Sequence, residues 1–128
     1  MKEIAPGIWL GGCIECDQTL PTVHLGQDCL HIQNDPRNLV FDLLDTDDHA
    51  PRILGILDQS YAFITKWRTV KPGVFIHCTA GVSRSATLIF LYLHRTGEVK
   101  TINDYRRICP QWFPNLGFQR LFRDLDIF

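Results

Sequence analysis

Short apolar runs alternate along this chain with segments whose apolar residues recur at helical spacing, a pattern typical of an α/β fold. The clearest short run, Val-Phe-Ile at residues 74–76, follows the Pro-Gly turn signal at residues 72–73. It is apolar without alternation, as expected for a strand buried on both faces. We therefore predict a strand over residues 74–77 at the centre of a mostly parallel sheet flanked by helices.

Two longer segments around that strand predict helices. Residues 51–67 carry apolar residues near helical spacing, with a proline suited to the first turn. Residues 86–95 are almost wholly apolar, and Gly97 follows at a position typical of a helix C-cap. The second pattern indicates a helix buried in the core.

Two further helices are predicted later in the chain. Thr101 is suited to cap a helix that runs through Cys109. Another helix follows Asn115, which is itself a suitable N-cap residue. Its apolar face, which we expect to belong to the core, comprises Phe118, Leu121, Phe122 and Leu125.

The composition narrows the class of protein. With 128 residues, 45% of them hydrophobic, the chain is expected to fold as one domain over residues 1–128. Its formal net charge of −1 and scattered basic residues predict neither nucleic acid nor a membrane surface as a partner. The longest apolar run is too short to span a bilayer, and a signal-peptide pattern is lacking. We expect an intracellular, cytoplasmic location, with the nucleus as an alternative.

The predicted central strand leads directly into a loop that ends where a helix begins. The backbone N–H groups of residues 79–84 can turn inward there, and the helix N-terminus adds its positive dipole end. Gly81 tolerates the positive φ that such a tight loop requires. The segment predicts a site for a phosphate-sized dianion, formed by Thr79, Ala80, Gly81, Val82, Ser83 and Arg84.

Cys78 lies at the bottom of this predicted cup, where the same field favours a thiolate and so a nucleophile. Arg84 offers a planar fork of donors suited to two phosphate oxygens at once. The Ser85 hydroxyl is placed either to cap the helix or to donate to the sulfur, and both interpretations stay open. His77 is interpreted as a buried, hydrogen-bonded support.

Residues 77–85, with the sequence HCTAGVSRS, resemble the signature loop of the cysteine-dependent protein tyrosine phosphatases. Residues 80–87 are most similar to the dual-specificity branch of that superfamily. The resemblance covers roughly residues 4–123 but is interrupted between residues 12 and 42, where the family has a longer helix and strand. Weaker similarities occur in the matching order at residues 8–12, 63–64 and 114–118.

The resemblance implies a protein phosphatase that forms a phosphocysteine intermediate without a cofactor or metal ion. Such an enzyme needs an acid for the departing oxygen, and the acidic segment of residues 42–48 precedes the first predicted helix. The family's acid falls at Asp45, with Asp47 as the alternative. Asp47 or Asp48 is also suited to cap that helix. For Asn115 the resemblance adds a second interpretation, in which the side chain braces the phosphate loop.

The expected substrate is a phosphoprotein, with phosphotyrosine and also phosphoserine or phosphothreonine as targets. The loop interior holds no Lys or His, whereas multiply charged inositol phosphates favour extra cations. One alternative is a phosphate-binding adaptor of the same fold with weak or no turnover. The other is an RNA 5′-phosphatase, although that activity predicts a basic approach that the composition lacks.

Five cysteines, an odd number, and the absence of an Asn-x-Ser/Thr site argue against a secreted disulfide framework. We therefore expect reduced thiols. Cys13 and Cys16 form a Cys-x-x-Cys pair, for which a zinc site with Cys29 and His31 is an alternative to packing. Cys109 is interpreted as a residue at the end of a helix.

Overall fold

Five strands form one sheet in the computed structural model, which describes residues 1–12, 20–26 and 36–127. The strands are β1 Lys2–Ala5, β2 Ile8–Gly12, β3 Thr22–Leu25, β4 Asn38–Phe41 and β5 Val74–Cys78. Their order across the sheet is β1-β2-β5-β3-β4, so that β5 is central. Only β1 and β2 pair in antiparallel fashion among these strands, which confirms the mostly parallel sheet.

Strand β5 is buried along its whole length, as its uninterrupted apolar run predicts. Ile76 and Cys78 point into the main hydrophobic core on one face. On the opposite face Phe75 stacks on His77, with ring centroids 5.3 Å apart. Because both faces are covered, the strand leads into its loop from a rigid, dry position.

Four helices complete the described fold, and each was predicted from the sequence. They are α1 Arg52–Trp67, α2 Arg84–Thr96, α3 Ile102–Ile108 and α4 Leu116–Asp124. Helix α2 packs on β5, β2 and α1, and its residues 84–93 are all buried. It ends at Gly97, which takes the left-handed conformation with φ of 85° that ends many helices.

The N-caps agree with the sequence for two helices and disagree for one. The Thr101 hydroxyl accepts the N–H of Asp104 at the start of α3, as predicted. For α1, however, the expected cap by Asp47 or Asp48 is wrong, because the N-cap residue is Pro51 and no side chain caps it. A turn closed by the Ala50 N–H and the Asp47 carbonyl intervenes, so these aspartates precede the helix by too many residues.

An aromatic cluster joins the C-terminal segment to α2. Phe90 contacts the rings of Tyr105, Trp112 and Phe122 at centroid distances of 5.1–5.3 Å. The Tyr105 hydroxyl donates to the Ala86 carbonyl at 2.6 Å, and the Trp112 indole donates to the Thr87 hydroxyl at 3.0 Å. These contacts hold the chain that precedes α4 beside the first turn of α2.

The three shortest strands were not predicted. β1, β3 and β4 have four residues each, which is too short for a clear period of two. β1 precedes β2 and pairs with it in antiparallel fashion. Among the described helices, none is long and apolar enough to cross a membrane.

Candidate active site

Strand β5 ends at Cys78, whose side chain is only 2% exposed. The Cys78 sulfur lies 3.1 Å from the hydroxyl oxygen of Ser85, which is fully buried in the first turn of α2. The N-cap residue of α2 is Ser83 rather than Ser85, and no side chain caps the helix. Of the two interpretations of Ser85, the structure therefore contains the contact with sulfur. When the sulfur is ionised, the hydroxyl is the donor.

The loop between β5 and α2 presents unpaired backbone donors. None of the N–H groups of residues 79–83 donates to an acceptor within the described part of the chain. Gly81 has φ of +72°, and a Cβ there would lie 2.8 Å from the Gly11 carbonyl carbon and oxygen. Only glycine fits that position without strain. The loop thus offers several amides to an anion beside the positive end of α2.

Arg84 is 8% exposed and donates to two groups of the protein. One terminal nitrogen, Nη1, donates to the Leu43 carbonyl at 2.8 Å, and Nη2 donates to the Thr79 hydroxyl at 3.0 Å. The buried Nε has no acceptor among the described residues. A buried, unpaired guanidinium N–H is costly, so its position indicates an acceptor supplied by a ligand.

Asp45 meets Ser83 and Asn115 at the edge of the loop. Its Oδ1 accepts from the Ser83 hydroxyl at 2.9 Å and from the Asn115 side-chain amide at 2.8 Å. The backbone N–H of Asn115 also donates to the Ser83 hydroxyl oxygen at 3.3 Å. These residues are far apart in sequence, and the fold brings all three together.

Of the two predicted interpretations of Asn115, the structure contains the helix cap, whereas the side chain does not contact the phosphate loop directly. Its side-chain oxygen accepts the N–H of Phe118 at 2.9 Å and so caps α4, as predicted. The side-chain nitrogen contacts Asp45 rather than the loop backbone. Its link to the loop is through its own backbone N–H to the Ser83 hydroxyl.

Asp47, the alternative acid, faces a different element. Its Oδ1 accepts the backbone N–H of Gly117 at 3.0 Å, and its Oδ2 lies 3.7 Å from Arg120. Both partners belong to α4. The Asp47 carboxylate therefore stabilises the start of that helix, where a negative charge is favourable.

His77 is buried and hydrogen-bonded. Its Nε2 bonds with Nδ1 of His24, and its Nδ1 lies 3.3 Å from the Cys78 carbonyl oxygen. The Nε2 of His24 in turn lies 2.9 Å from the side-chain oxygen of Asn38. Sequence reasoning missed His24 and Asn38, because they lie in the segment for which no element was predicted.

Two partners of Arg84 were also missed. The Leu43 carbonyl is a backbone group, and Thr79 was predicted only as a contributor of its N–H. Neither contact leaves a signal in the sequence, since the first joins positions 41 residues apart. Both bonds orient the guanidinium plane beside the loop.

The other four cysteines were predicted to be packing residues or, for three of them, zinc ligands. Cys109 lies at the C-cap of α3, and burial raises the pKa of its thiol, which favours a protonated packing residue. The zinc alternative falls on Cys13, Cys16, Cys29 and His31, all of which lie outside the described residues. Elsewhere, residues 1–12, 20–26 and 36–127 hold no cluster of three His, Cys, Asp or Glu side chains suited to a metal ion.

A parallel strand that ends in a buried cysteine, an amide-lined loop and an arginine at the following helix start define the class of cysteine-dependent phosphatase folds. A family model described as "Dual specificity phosphatase, catalytic domain" matches residues 14–125. The chain therefore belongs to the dual-specificity phosphatase catalytic-domain family, which confirms the resemblance.

Characterised relatives share part of this chain. Human dual specificity protein phosphatase 8 is 35% identical over 75 residues, which are 56% of this chain and 12% of that protein. MAP kinase phosphatase with leucine-rich repeats protein 3 of Dictyostelium discoideum is 32% identical over 131 residues, covering 92% of this chain and 15% of its own length. The chain thus spans only a small part of these relatives.

Solved structures share the fold. The crystal structure of DUSP15 superposes with a TM-score of 0.79 and 20% sequence identity, covering 98% of this chain and 86% of that chain. This similarity confirms the predicted α/β architecture with its central sheet.

Proposed function

We propose that the chain is one catalytic domain, spanning residues 1–128, of a protein phosphatase that acts on phosphotyrosine and on phosphoserine or phosphothreonine. The observation that carries the proposal is the buried Arg84 Nε without an acceptor among the described residues, next to a loop of unpaired amides. Together these donors match a phosphate dianion. They supply the positive charge that the reaction needs, so no metal ion or cofactor enters the mechanism.

In the first step the Cys78 thiolate attacks phosphorus in line, so that a sulfur–phosphorus bond forms and the bond to the substrate oxygen breaks. Asp45 transfers a proton to that departing oxygen. Its Oδ1 already accepts two hydrogen bonds, so Oδ2 is the oxygen that carries the proton. Arg84 and the loop amides stabilise the charge on the three equatorial oxygens.

In the second step water attacks the phosphocysteine. The Asp45 carboxylate accepts a proton from this water, a new phosphorus–oxygen bond forms, and the sulfur–phosphorus bond breaks. Cys78 leaves as a thiolate, and the Ser85 hydroxyl at 3.1 Å stabilises the charge that develops on sulfur. Inorganic phosphate is released, and the starting state is restored.

Geometry supports Asp45 rather than Asp47 as the acid. Asp45 bonds to Ser83, a residue of the phosphate loop itself, whereas Asp47 is bonded to the start of α4. The segment that carries Asp45 is also joined to Arg84 through the Leu43 carbonyl. The proton donor and the phosphate-binding arginine are thereby held by the same short segment, residues 43–45, one through a side chain and the other through a backbone carbonyl.

A phosphoprotein is the substrate class that the local charge favours. The loop interior has no Lys or His, and residues 42–48 beside it contribute the exposed carboxylates Asp42, Asp45, Asp47 and Asp48. Such a surface repels a polyanionic RNA end. A single phosphate on a polypeptide needs only the loop and Arg84.

The test compares phosphate release from a phosphotyrosine peptide and from para-nitrophenyl phosphate by the parent chain and four variants. Cys78→Ser should lower kcat at least about a thousandfold on both substrates. Asp45→Ala should lower kcat about a hundredfold on the peptide and less on the aryl phosphate, whose leaving group needs less protonation. Asp47→Ala and the exposed control Asp42→Ala should retain kcat within about threefold.

Other outcomes would replace parts of the proposal. Binding of inorganic phosphate without turnover of either substrate would identify an adaptor. Release of phosphate from triphosphate-ended RNA but not from the peptide would identify an RNA 5′-phosphatase. Equal kcat for Asp45→Ala and the parent on the peptide would show that another group protonates the leaving oxygen.

A further inference from the structure

Three large apolar side chains are exposed close to the candidate site. Leu44, Phe113 and Leu116 are 37%, 78% and 57% exposed, respectively. In the described part of the chain, three other large hydrophobic side chains are exposed, namely Met1, Val70 and Leu125, all less so than Phe113 and Leu116. Large exposed apolar side chains beside a binding site are typical of a recognition surface. We call Leu44, Phe113 and Leu116 the apolar rim.

Hydrogen bonds of the site hold the backbone of the apolar rim in place. The N–H of Phe113 donates to the Val82 carbonyl of the phosphate loop at 2.7 Å. Leu116 directly follows Asn115, and Leu44 directly precedes Asp45. Because Asn115 and Asp45 are bonded to each other, the two rim residues flank one contact.

The rim residues are exposed although their neighbours are packed. Leu43 is fully buried and Trp112 is 2% exposed, so the chain on each side of the rim is anchored in the core. The anchored backbone leaves Leu44 and Phe113 pointing away from the core. Their apolar surface is therefore presented to solvent, and binding another apolar side chain would remove it from water.

The charges next to the apolar rim are mostly negative, although the Arg106 guanidinium lies over the ring of Trp112, directly before Phe113. Asp42, Asp47 and Asp48 are exposed in the segment that carries Leu44, and the Asp47 carboxylate has Arg120 at 3.7 Å. This excess of carboxylates disfavours acidic residues in whatever polypeptide lies across the site.

We propose that the apolar rim binds an apolar side chain next to the phosphorylated residue of the substrate, so that phosphopeptides with apolar flanks are preferred and those with acidic flanks are rejected. This inference rests on the proposed phosphatase function and specifies its substrate class. The phosphate loop binds the phosphate, and the apolar rim binds the side chain of the residue next to the phosphorylated one. Phe113 is the central specificity-determining side chain, since it is the most exposed of the three and is bonded to the loop.

The experiment uses three phosphotyrosine peptides that are identical except for Leu, Ser or Glu at the positions flanking phosphotyrosine. The parent chain should show kcat/KM in the order Leu, Ser, Glu, with at least about a tenfold difference between Leu and Glu, since each apolar contact or repelled charge is worth a factor of several. Turnover of para-nitrophenyl phosphate, which has no flanking residue, is measured in parallel.

Variants then assign the preference to the rim. Phe113→Ser should reduce the Leu-to-Ser ratio of kcat/KM to within about twofold, and Leu116→Ser should reduce it partly. Val70→Ser is the matched control. Val70 is 48% exposed, but it precedes the N-terminal end of β5, whereas the loop follows the C-terminal end of that strand. Val70→Ser should leave the ratio unchanged.

The possible failures are distinguishable. Equal kcat/KM for the Leu and Ser peptides, with normal turnover of para-nitrophenyl phosphate, would overturn the inference and leave the phosphatase function intact. A preference that persists in both Phe113→Ser and Leu116→Ser would also overturn it. Absence of turnover on every substrate would overturn the phosphatase function, and the inference with it.

Discussion

The β5–loop–α2 unit and the acidic segment of residues 42–50 meet at one site, yet they are held by different forces. Every residue of β5 and residues 84–93 of α2 are buried in the core. In the acidic segment, only Leu43 and Ala50 are buried. Polar contacts hold the rest of it, chiefly those of Asp45 with Ser83 and Asn115.

This difference separates two requirements of the proposed chemistry. The nucleophile and its anion site need a rigid position, which hydrophobic burial supplies. The proton donor must reach a leaving group that enters from solvent, and an exposed segment tied by a few hydrogen bonds opens at a lower free energy than the core does. Substitutions in the first region should therefore affect stability together with activity, and those in the second should affect activity alone.

Among the substitutions that test this comparison, the largest effect is expected for Arg84→Lys. Lysine keeps the charge but loses the planar fork and the bonds to Leu43 and Thr79, so kcat/KM on a phosphotyrosine peptide should fall at least about a hundredfold. Arg120→Lys, at an exposed position of α4, is the control and should stay within about twofold of the parent. A comparably small loss for Arg84→Lys would mean that the amides alone hold the phosphate.

Gly81→Ala tests whether the buried β5–loop–α2 unit supports stability and activity together. Alanine would have to adopt the left-handed φ of Gly81, and its Cβ would lie 2.8 Å from backbone atoms of Gly11. We therefore expect the unfolding free energy to fall by about 2 kcal/mol and kcat to fall at least about tenfold. Gly55→Ala in α1 is the matched control, since nothing lies within 4 Å of its Cβ position.

Gly55→Ala should raise the unfolding free energy by about 0.5–1 kcal/mol, because alanine is the better helix former. Thermal or urea unfolding measures both variants. If Gly81→Ala lost activity without losing stability, the loop would be independent of the core, contrary to the comparison.

Ser83→Ala tests the polar contacts between the phosphate loop and the acidic segment. The substitution removes the hydroxyl that bonds to Asp45 and Asn115, so kcat should fall about three- to tenfold on a phosphotyrosine peptide, with a smaller loss on para-nitrophenyl phosphate. Thr69→Ala, which removes an exposed hydroxyl bonded to Lys66, is the control. Equal losses of Ser83→Ala on both substrates would argue against its action through the acid.

The smallest effect concerns a pair away from the site. Arg68 donates to both carboxylate oxygens of Glu98, at 2.6 and 2.9 Å, and this pairing lowers the pKa of Glu98. Because the folded-state pKa lies below the unfolded value, the pair stabilises the fold above that value, and the stabilisation is lost as pH falls through the folded-state pKa. Glu98→Gln should therefore lower stability at pH 7 by only about 0.5 kcal/mol, since the pair is partly exposed.

The difference between Glu98→Gln and the parent should shrink as pH falls below 4.5, the ordinary value for the glutamate side chain. Asp58→Asn, whose carboxylate is 67% exposed in its pair with Arg95, is the control and should change stability at pH 7 by less than Glu98→Gln does. Activity at pH 7 should be unchanged in both. A pH-independent loss for Glu98→Gln would indicate lost packing rather than lost charge.

Much of the fold was predictable because its long elements carry strong local signals. The continuous apolar run of β5 and the helical spacing of α1 and α2 identified their type and approximate ends. Thr101 and Asn115 marked two helix starts by cap chemistry alone. The four-residue strands β1, β3 and β4 escaped prediction, since their stability comes from pairing with neighbours rather than from their own residues.

The local order of residues was enough to predict a candidate site at Cys78, Arg84 and the loop between them, because strand, loop and helix start are contiguous and the proposed chemistry follows from their succession. Which carboxylate faces Ser83, which hydroxyl reaches the sulfur and which apolar side chains line the rim depend on contacts between segments far apart in the chain. No short-range pattern encodes these contacts. Burial of the aromatic cluster around Phe90 and the register of the sheet bring those segments together, so only the folded molecule decides them.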